Sequence, residues 1–290
     1  MQLPDLSDID AWLAEREAAI PGLRADCQKR VIWPEGGAGR RPLSVVYIHG
    51  FSASPKEVSP VSERVAEALG APLYLARLAG HGRDGPAMAE PTFADWMEDT
   101  EEAFAIGAAL GERVLVISCS TGSTLATLAM AEGADAAGSV MVSPNFALGA
   151  RRNQTILGLP LARLWAPIVF GRERSFEPEN AAHAQYWTTR YPSVAVFPLI
   201  DALKALDRAD LSRITAPALF AMNEDDPVVS AEASRAAMAR WGGPAEAHYV
   251  TMGPGEDPEC HVIAGDAMAP RQTGPMVDAI LTWAKEAGLG

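Results

Sequence analysis

In RVLVISCSTGSTLATLAM, residues 113–130, an apolar strand pattern ends at Ser118, and the chain turns through Cys119-Ser120-Thr121-Gly122 into a helical period. A serine hydroxyl attacks well when a strand-to-helix turn exposes it at the strand's end. The helix that follows offers free amides and the positive end of its dipole to an oxyanion. Ser120 is therefore a candidate nucleophile for acyl transfer, although an ordinary N-cap serine would read the same way locally. Such a serine needs a base of near-neutral pKa, which histidine supplies. Of the five histidines, only His261 falls in a loop after the last strand pattern and shortly before the terminal helix pattern. The acidic turn Asn223-Glu224-Asp225-Asp226 ends one more strand pattern; it either supplies a carboxylate for that histidine or caps the helix starting near Ser230.

Positioning these groups requires a sheet whose strands end on one side. Short apolar runs bounded by turn residues stand at Leu43–His49, Leu73–Arg77, Arg113–Ser118, Ser139–Ser143, Pro217–Met222 and Glu246–Thr251. They are apolar on both faces, as in strands buried within a parallel sheet. Helical periods occupy Glu57–Leu69, Phe93–Leu110, Thr121–Ala131, Ala231–Trp241 and Met276–Ala287. The alternation predicts a doubly wound, mostly parallel α/β sheet flanked by helices. Ahead of it, Asp8–Ala19 reads as a helix, the chain near Val31 as an edge strand, and Pro34–Arg41 as a turn.

From about Phe146 to Asp210 the rhythm stops. This stretch holds prolines and aromatics (Trp165, Phe170, Phe176, Tyr186, Trp187, Tyr191, Phe197) without a clear strand, and helical windows at Asn180–Trp187 and Leu199–Ala209. A loop of that length inside a compact domain is uncommon unless functional. It reads as a cap inserted between the sheet's sixth and seventh strands, which divides the chain into core (1–145), cap (146–212) and core (213–290).

The rest of the composition narrows the function. A formal net charge of -13 repels phosphate backbones and anionic surfaces, which disfavours a nucleic-acid partner. No uncharged apolar window is long enough for a membrane span. The opening MQLPDLSDIDAWLAEREAAIPGL lacks a basic n-region and an apolar h-region, so no signal peptide is expected. Three widely spaced cysteines, Cys27, Cys119 and Cys260, argue against a disulfide framework or a structural zinc site. Cys119 and Cys260 directly precede Ser120 and His261; they either fill a tight site or lie close enough for oxidation to disturb it. The reading is a cytoplasmic protein with no cofactor and no metal.

These motifs together resemble the α/β-hydrolase superfamily, and specifically bacterial carboxylesterases and monoacylglycerol-lipase-like serine hydrolases. The resemblance covers roughly residues 43–145 and 213–290. SCSTG is similar to the family's G-x-S-x-G elbow, with Ser118 replacing the first glycine and Gly122 retained. Tyr47-Ile48-His49-Gly50-Phe51 looks like the family's oxyanion segment; the resemblance implies backbone donors at Phe51 and Thr121, with His49 structural and Ser52 a possible extra donor. Leu78-Ala79-Gly80-His81-Gly82 resembles a second family turn whose histidine is structural. The family's acid follows this late strand and often precedes a valine, which implies Asp226 in DPVV, with Asp225 the alternative. The order Ser120, Asp226, His261 is the superfamily's nucleophile–acid–base order.

What the resemblance implies is a carboxylesterase that forms an acyl-enzyme on short-to-medium acyl or aromatic esters, its partner a small-molecule ester. Other chemistry on the same fold (thioesterase, peptidase, carbon–carbon hydrolase, acyltransferase) and a non-catalytic ligand-binding relative are the alternatives.

Overall fold

The structure is a computed structural model that describes residues 3–290. Helix α1 (Ile9–Ala18) leads to β1 (Arg30–Ile32) and β2 (Arg41–Ile48), then α2 (Val61–Ala68), β3 (Leu73–Leu75), α3 (Phe93–Leu110), β4 (Gly111–Cys119), α4 (Thr121–Glu132) and β5 (Gly138–Val142). The following segment carries α5 (Arg151–Leu157), α6 (Ala162–Phe170), the hairpin β6 (Glu173–Ser175) and β7 (Arg190–Pro192) around α7 (Ala181–Tyr186), and α8 (Phe197–Leu206). The chain then re-enters the sheet with β8 (Ala218–Met222), α9 (Ala231–Ala239), β9 (Ala245–Tyr249) and α10 (Thr273–Glu286).

Seven strands form one sheet in the order β1-β3-β2-β4-β5-β8-β9. Every pairing in it is parallel except β1 with β3. Side chains alternate between faces, and both faces are covered. Val46, Ile48, Val114, Val116 and Phe220 face the layer of α3, α4 and α8, whereas Val45, Tyr47, Leu115, Ile117 and Leu219 face α2 and α10. The doubly wound α/β sheet read from the sequence is the observed architecture.

The inserted segment leaves the sheet after its fifth strand, not its sixth. The edge strand β1 and the four apolar runs that end at β5 are the sheet strands that precede it. Helix α2 also begins later than the apolar period suggests. Pro60 stands just before it, and a residue preceding proline is steered away from helical geometry. The insertion has two parts. Its last helix, α8, buries Leu199, Ala202, Leu203 and Leu206 in the main core. Its α6 instead turns an apolar face outward, with Leu161, Leu164, Ile168 and Val169 exposed. No helix among the described residues is long and apolar enough to cross a membrane.

A buried ion network braces the loop after β3. Arg77 forms a two-pronged pair with Glu17 of α1 at 2.7 and 2.8 Å, and Lys29 pairs with Asp99 and Glu102 of α3 at 2.7 and 2.6 Å. Asp99 also accepts the Ala79 amide at 2.6 Å, which ties the 78–82 loop to α3.

Candidate active site

Ser120 sits between β4 and α4 with φ 49° and ψ -117°, a backbone region that side chains rarely occupy. The turn is held from both sides: the Ser120 amide donates to Val142 at 3.0 Å, and its carbonyl accepts from Ser123 and Asn145 at 3.0 and 3.1 Å. Close approach explains the small neighbours. A Cβ at Gly122 would collide with the carbonyls of Ile48 and His49 at the end of β2. Ser118, where a glycine stands in the motif it resembles, is tolerated because its hydroxyl is buried within 3.1 Å of Ser123 Oγ and 3.3 Å of the Val140 carbonyl.

The three residues named from sequence come together. His261 Nδ1 donates to Asp226 Oδ2 at 2.8 Å. Because a carboxylate only accepts, this contact places the proton on Nδ1 and leaves the Nε2 lone pair facing Ser120 Oγ at 3.1 Å. Asp226 is itself fixed, since its Oδ1 accepts the amides of Val228 and Val229 at 2.7 and 3.0 Å. Asp225 is exposed, and only its amide is engaged, by Asn223. Burial alone would depress the His261 pKa. The hydrogen bond and charge of Asp226, with the nearby carboxylates of Glu57 and Asp257, outweigh it and hold the imidazole above its ordinary value.

Two further groups clamp the histidine's backbone. Asp257 accepts the His261 and Val262 amides at 3.0 and 2.7 Å, and the Ser143 hydroxyl donates to the His261 carbonyl at 2.6 Å. Asp257 is buried, and no sequence motif marks it out.

Phe51 and Thr121 flank Ser120 on the same cavity. Neither amide is engaged by a protein acceptor among the described residues. Thr121 opens α4, so its N–H is one of the helix's unpaired donors. His49 governs the direction of the Phe51 amide. Its Nε2 accepts from Leu78 N at 3.1 Å, which leaves Nδ1 to donate to the Gly50 carbonyl at 2.8 Å. In a trans peptide the carbonyl and the next N–H point opposite ways, so anchoring Gly50 O aims Phe51 N–H outward. Burial keeps both His49 and His81 neutral, His81 falling to about 4. Both hydrogen-bond to backbone of the loops they stand in or beside.

The cavity measures about 510 Å³. Phe51, Leu148, Phe176, Trp187, Tyr191, Leu199, Val228 and Met268 give it apolar walls. Its polar lining includes Glu57, Asn145, Glu177, Glu179, His183, Asp257 and Glu259, and contains neither lysine nor arginine. Asn145 Oδ1 and Thr121 Oγ1 are buried there without a protein partner. The insertion is strapped across the cavity at both ends. The Thr188 amide donates to Ser52 O at 2.7 Å, beside Phe51, and Asn180 donates to Ala267 O at 2.7 Å, beyond His261. All three cysteines are free: Cys119 is buried beside Glu57 and Cys260 is half-exposed.

A parallel sheet with a strained serine elbow at the end of a central strand is the framework of the α/β hydrolases. Residues 45–269 match the model of the alpha/beta hydrolase family, and the chain belongs to that family. Within it the chain is lipase- and esterase-like. A thermostable monoacylglycerol lipase from Bacillus sp. (strain H-257) is 30% identical over 189 residues, 65% of this chain and 72% of that protein. Among solved structures, one from work on LipS and LipT, two metagenome-derived lipolytic enzymes, is similar with a TM-score of 0.72 at 19% identity, covering 92% of this chain and 99% of its own. Est1E from Butyrivibrio proteoclasticus with ferulic acid bound gives 0.56 at 17% identity, over 90% and 98%. At those identities the structural likeness speaks for the fold.

Proposed function

We propose that the protein is a serine carboxylesterase that cleaves short-to-medium acyl or aromatic esters through an acyl-enzyme. The observation that carries this reading is the hydrogen-bonded relay Ser120–His261–Asp226, at 3.1 and 2.8 Å, at the foot of an apolar-walled cavity. Ser120 attacks the ester carbonyl as His261 takes its proton, and Asp226 holds the imidazole in the required tautomer. The amides of Phe51 and Thr121 receive the developing oxyanion. His261 then protonates the departing alcohol and activates the water that releases the acid. The insertion, residues 146–212, acts as a cap that supplies Phe176, Trp187, Tyr191 and Leu199 to the acyl pocket and limits water there. The likeness to a monoacylglycerol lipase supports ester chemistry.

The site also speaks against two of the alternatives. With five carboxylates and no lysine or arginine, the cavity repels phosphate, which disfavours phosphate-bearing thioesters. A ligand-binding relative would have no use for an aligned relay at the elbow.

The test is hydrolysis of p-nitrophenyl esters from acetate to decanoate by wild type and Ser120→Ala, with fluorophosphonate labelling in parallel. Expected are ester turnover and labelling in the wild type, both lost in Ser120→Ala. A wild type inert to every ester and to the probe refutes the reading.

A further inference from the structure

One buried carboxylate in the cavity has no part in the relay. Glu57 is 2% exposed, and hydrogen bonds from neutral donors surround it. Its Oε2 accepts the Gly50 amide at 2.7 Å and the Tyr47 hydroxyl at 3.0 Å, and Cys119 is buried beside it. Burying a carboxylate without a salt-bridge partner is costly, and its hydrogen bonds offset part of that cost. Burial pushes the Glu57 carboxyl up, and the contact with Gly50 is the strongest influence pulling it back.

The neighbours of Glu57 lie at informative places. Gly50 immediately precedes Phe51, and Cys119 immediately precedes Ser120. A Cβ added to Gly50 would stand 2.8 Å from Glu57 Oε1 and 3.0 Å from Ser120 Cβ, so carboxylate, glycine and nucleophile pack in direct contact. The next turn of chain touches the loop beyond His261: the Asp266 amide donates to Ser59 O at 2.9 Å, and Gly265 packs on Val58. Glu57 therefore stands where the oxyanion segment, the elbow and the histidine loop meet.

Two consecutive peptide planes decide where Phe51 N–H points. His49 fixes the Gly50–Phe51 plane through the Gly50 carbonyl, and Glu57 fixes the His49–Gly50 plane through the Gly50 amide. Gly50 has no side chain to restrict its dihedrals, so with one anchor removed it is free to rotate about the other.

We propose that Glu57 is a positioning residue for transition-state stabilisation: its carboxylate clamps the Gly50 amide and thereby aims the Phe51 N–H at the oxyanion. This rests on the serine-esterase reading above. The clamp works by reach and acceptor geometry, so glutamine, which keeps an oxygen at the same distance, preserves it. Aspartate, one methylene shorter, keeps the charge and loses the contact.

The experiment compares Glu57→Gln, Glu57→Asp and Glu57→Leu with wild type and Ser120→Ala on a p-nitrophenyl ester, with thermal melts as the folding control. Losing a misaimed donor lowers kcat about 10- to 100-fold with little change in KM, because the contact forms chiefly in the transition state. That is the result expected for Glu57→Asp and Glu57→Leu, while Glu57→Gln stays within about fivefold of wild type. If Glu57→Leu fails to fold, the Gln–Asp pair alone decides. Glu57→Asp near wild type, or Glu57→Gln as impaired as Glu57→Asp, overturns the proposal. Failure of the underlying reading is seen separately, as wild-type turnover that survives Ser120→Ala.

Discussion

Replacing Asp226 with asparagine removes a charge yet leaves the fold its anchors. Asp226 Oδ1 accepts two amides, Val228 and Val229, and an asparagine oxygen takes that place because only an acceptor satisfies both. The asparagine NH2 is thereby forced to the position of Oδ2, 2.8 Å from His261 Nδ1. Two donors cannot face each other, so the neutral imidazole moves its proton to Nε2. The lone pair that faced Ser120 Oγ is then gone. A triad in the wrong tautomer loses about ten-thousandfold in kcat, or about 5.4 kcal/mol at ~1.36 kcal/mol per factor of ten. The melting temperature should hardly move, because no buried amide loses its partner. Asp226→Ala, by contrast, strands the Val229 amide at about 1–3 kcal/mol and lowers stability as well, while the Val228 amide is open to water. Steady-state hydrolysis of a p-nitrophenyl ester and a thermal melt on the same preparations measure both quantities. Asp225→Asn, at an exposed side chain, is the control expected to match wild type. An Asp226→Asn enzyme within about tenfold of wild type would refute the tautomer argument.

Two more outcomes follow from the site. His261 must be neutral to accept the serine proton, and its pKa is held above the ordinary 6.5, so the acid limb of kcat/KM lies above that pH. The sign for stability is the reverse of that for a carboxylate whose pKa the fold depresses. The contribution is complete below the ordinary value and is lost as pH rises through the folded one. A profile from about pH 5 to 9, with a limb at or below 6.5, would contradict this. At the elbow, Gly122→Ala drives a methyl group into the carbonyls of Ile48 and His49, which a rigid strand end cannot vacate. Overpacking there should cost about 1–3 kcal/mol, read as a fall in melting temperature together with a loss of turnover; a variant as stable as wild type would show that β2 yields.

The sequence revealed most where a residue's role is local. Buried parallel strands must be apolar on both faces, so β2, β4, β5 and β8 stood out as runs. The elbow, the DPVV turn and the loop before α10 each carried a short signature, which is why Ser120, Asp226 and His261 could be picked out as candidates, and the fold brings their side chains together. Asn145, Asp257 and Glu57 could not, because their contacts at the site (Asn145 with Ser120, Asp257 with His261, Glu57 with Gly50) are made in loop stretches where no short signature marks these residues out. Glu57 read as the first turn of a helix that in fact begins at Val61. The insertion was harder still. Helix α6 contains Pro167 and has an exposed apolar face, which hides its period. Strands β6 and β7 are three residues each, charged and open to solvent on β6, with no alternation to detect.

The backbone of Ser120 invites a last comparison. Its φ of 49° and ψ of -117° describe a conformation comfortable for glycine and uncomfortable for any residue bearing a Cβ, a tension of about 1–3 kcal/mol. Alanine at this position abolishes the nucleophile and keeps the tension; glycine abolishes the nucleophile and releases it. Two equally dead enzymes should therefore melt at different temperatures, Ser120→Gly above Ser120→Ala. The gap between them, offset by the extra freedom of an unfolded glycine, is a direct reading of how much robustness the fold gives up to keep a hydroxyl poised.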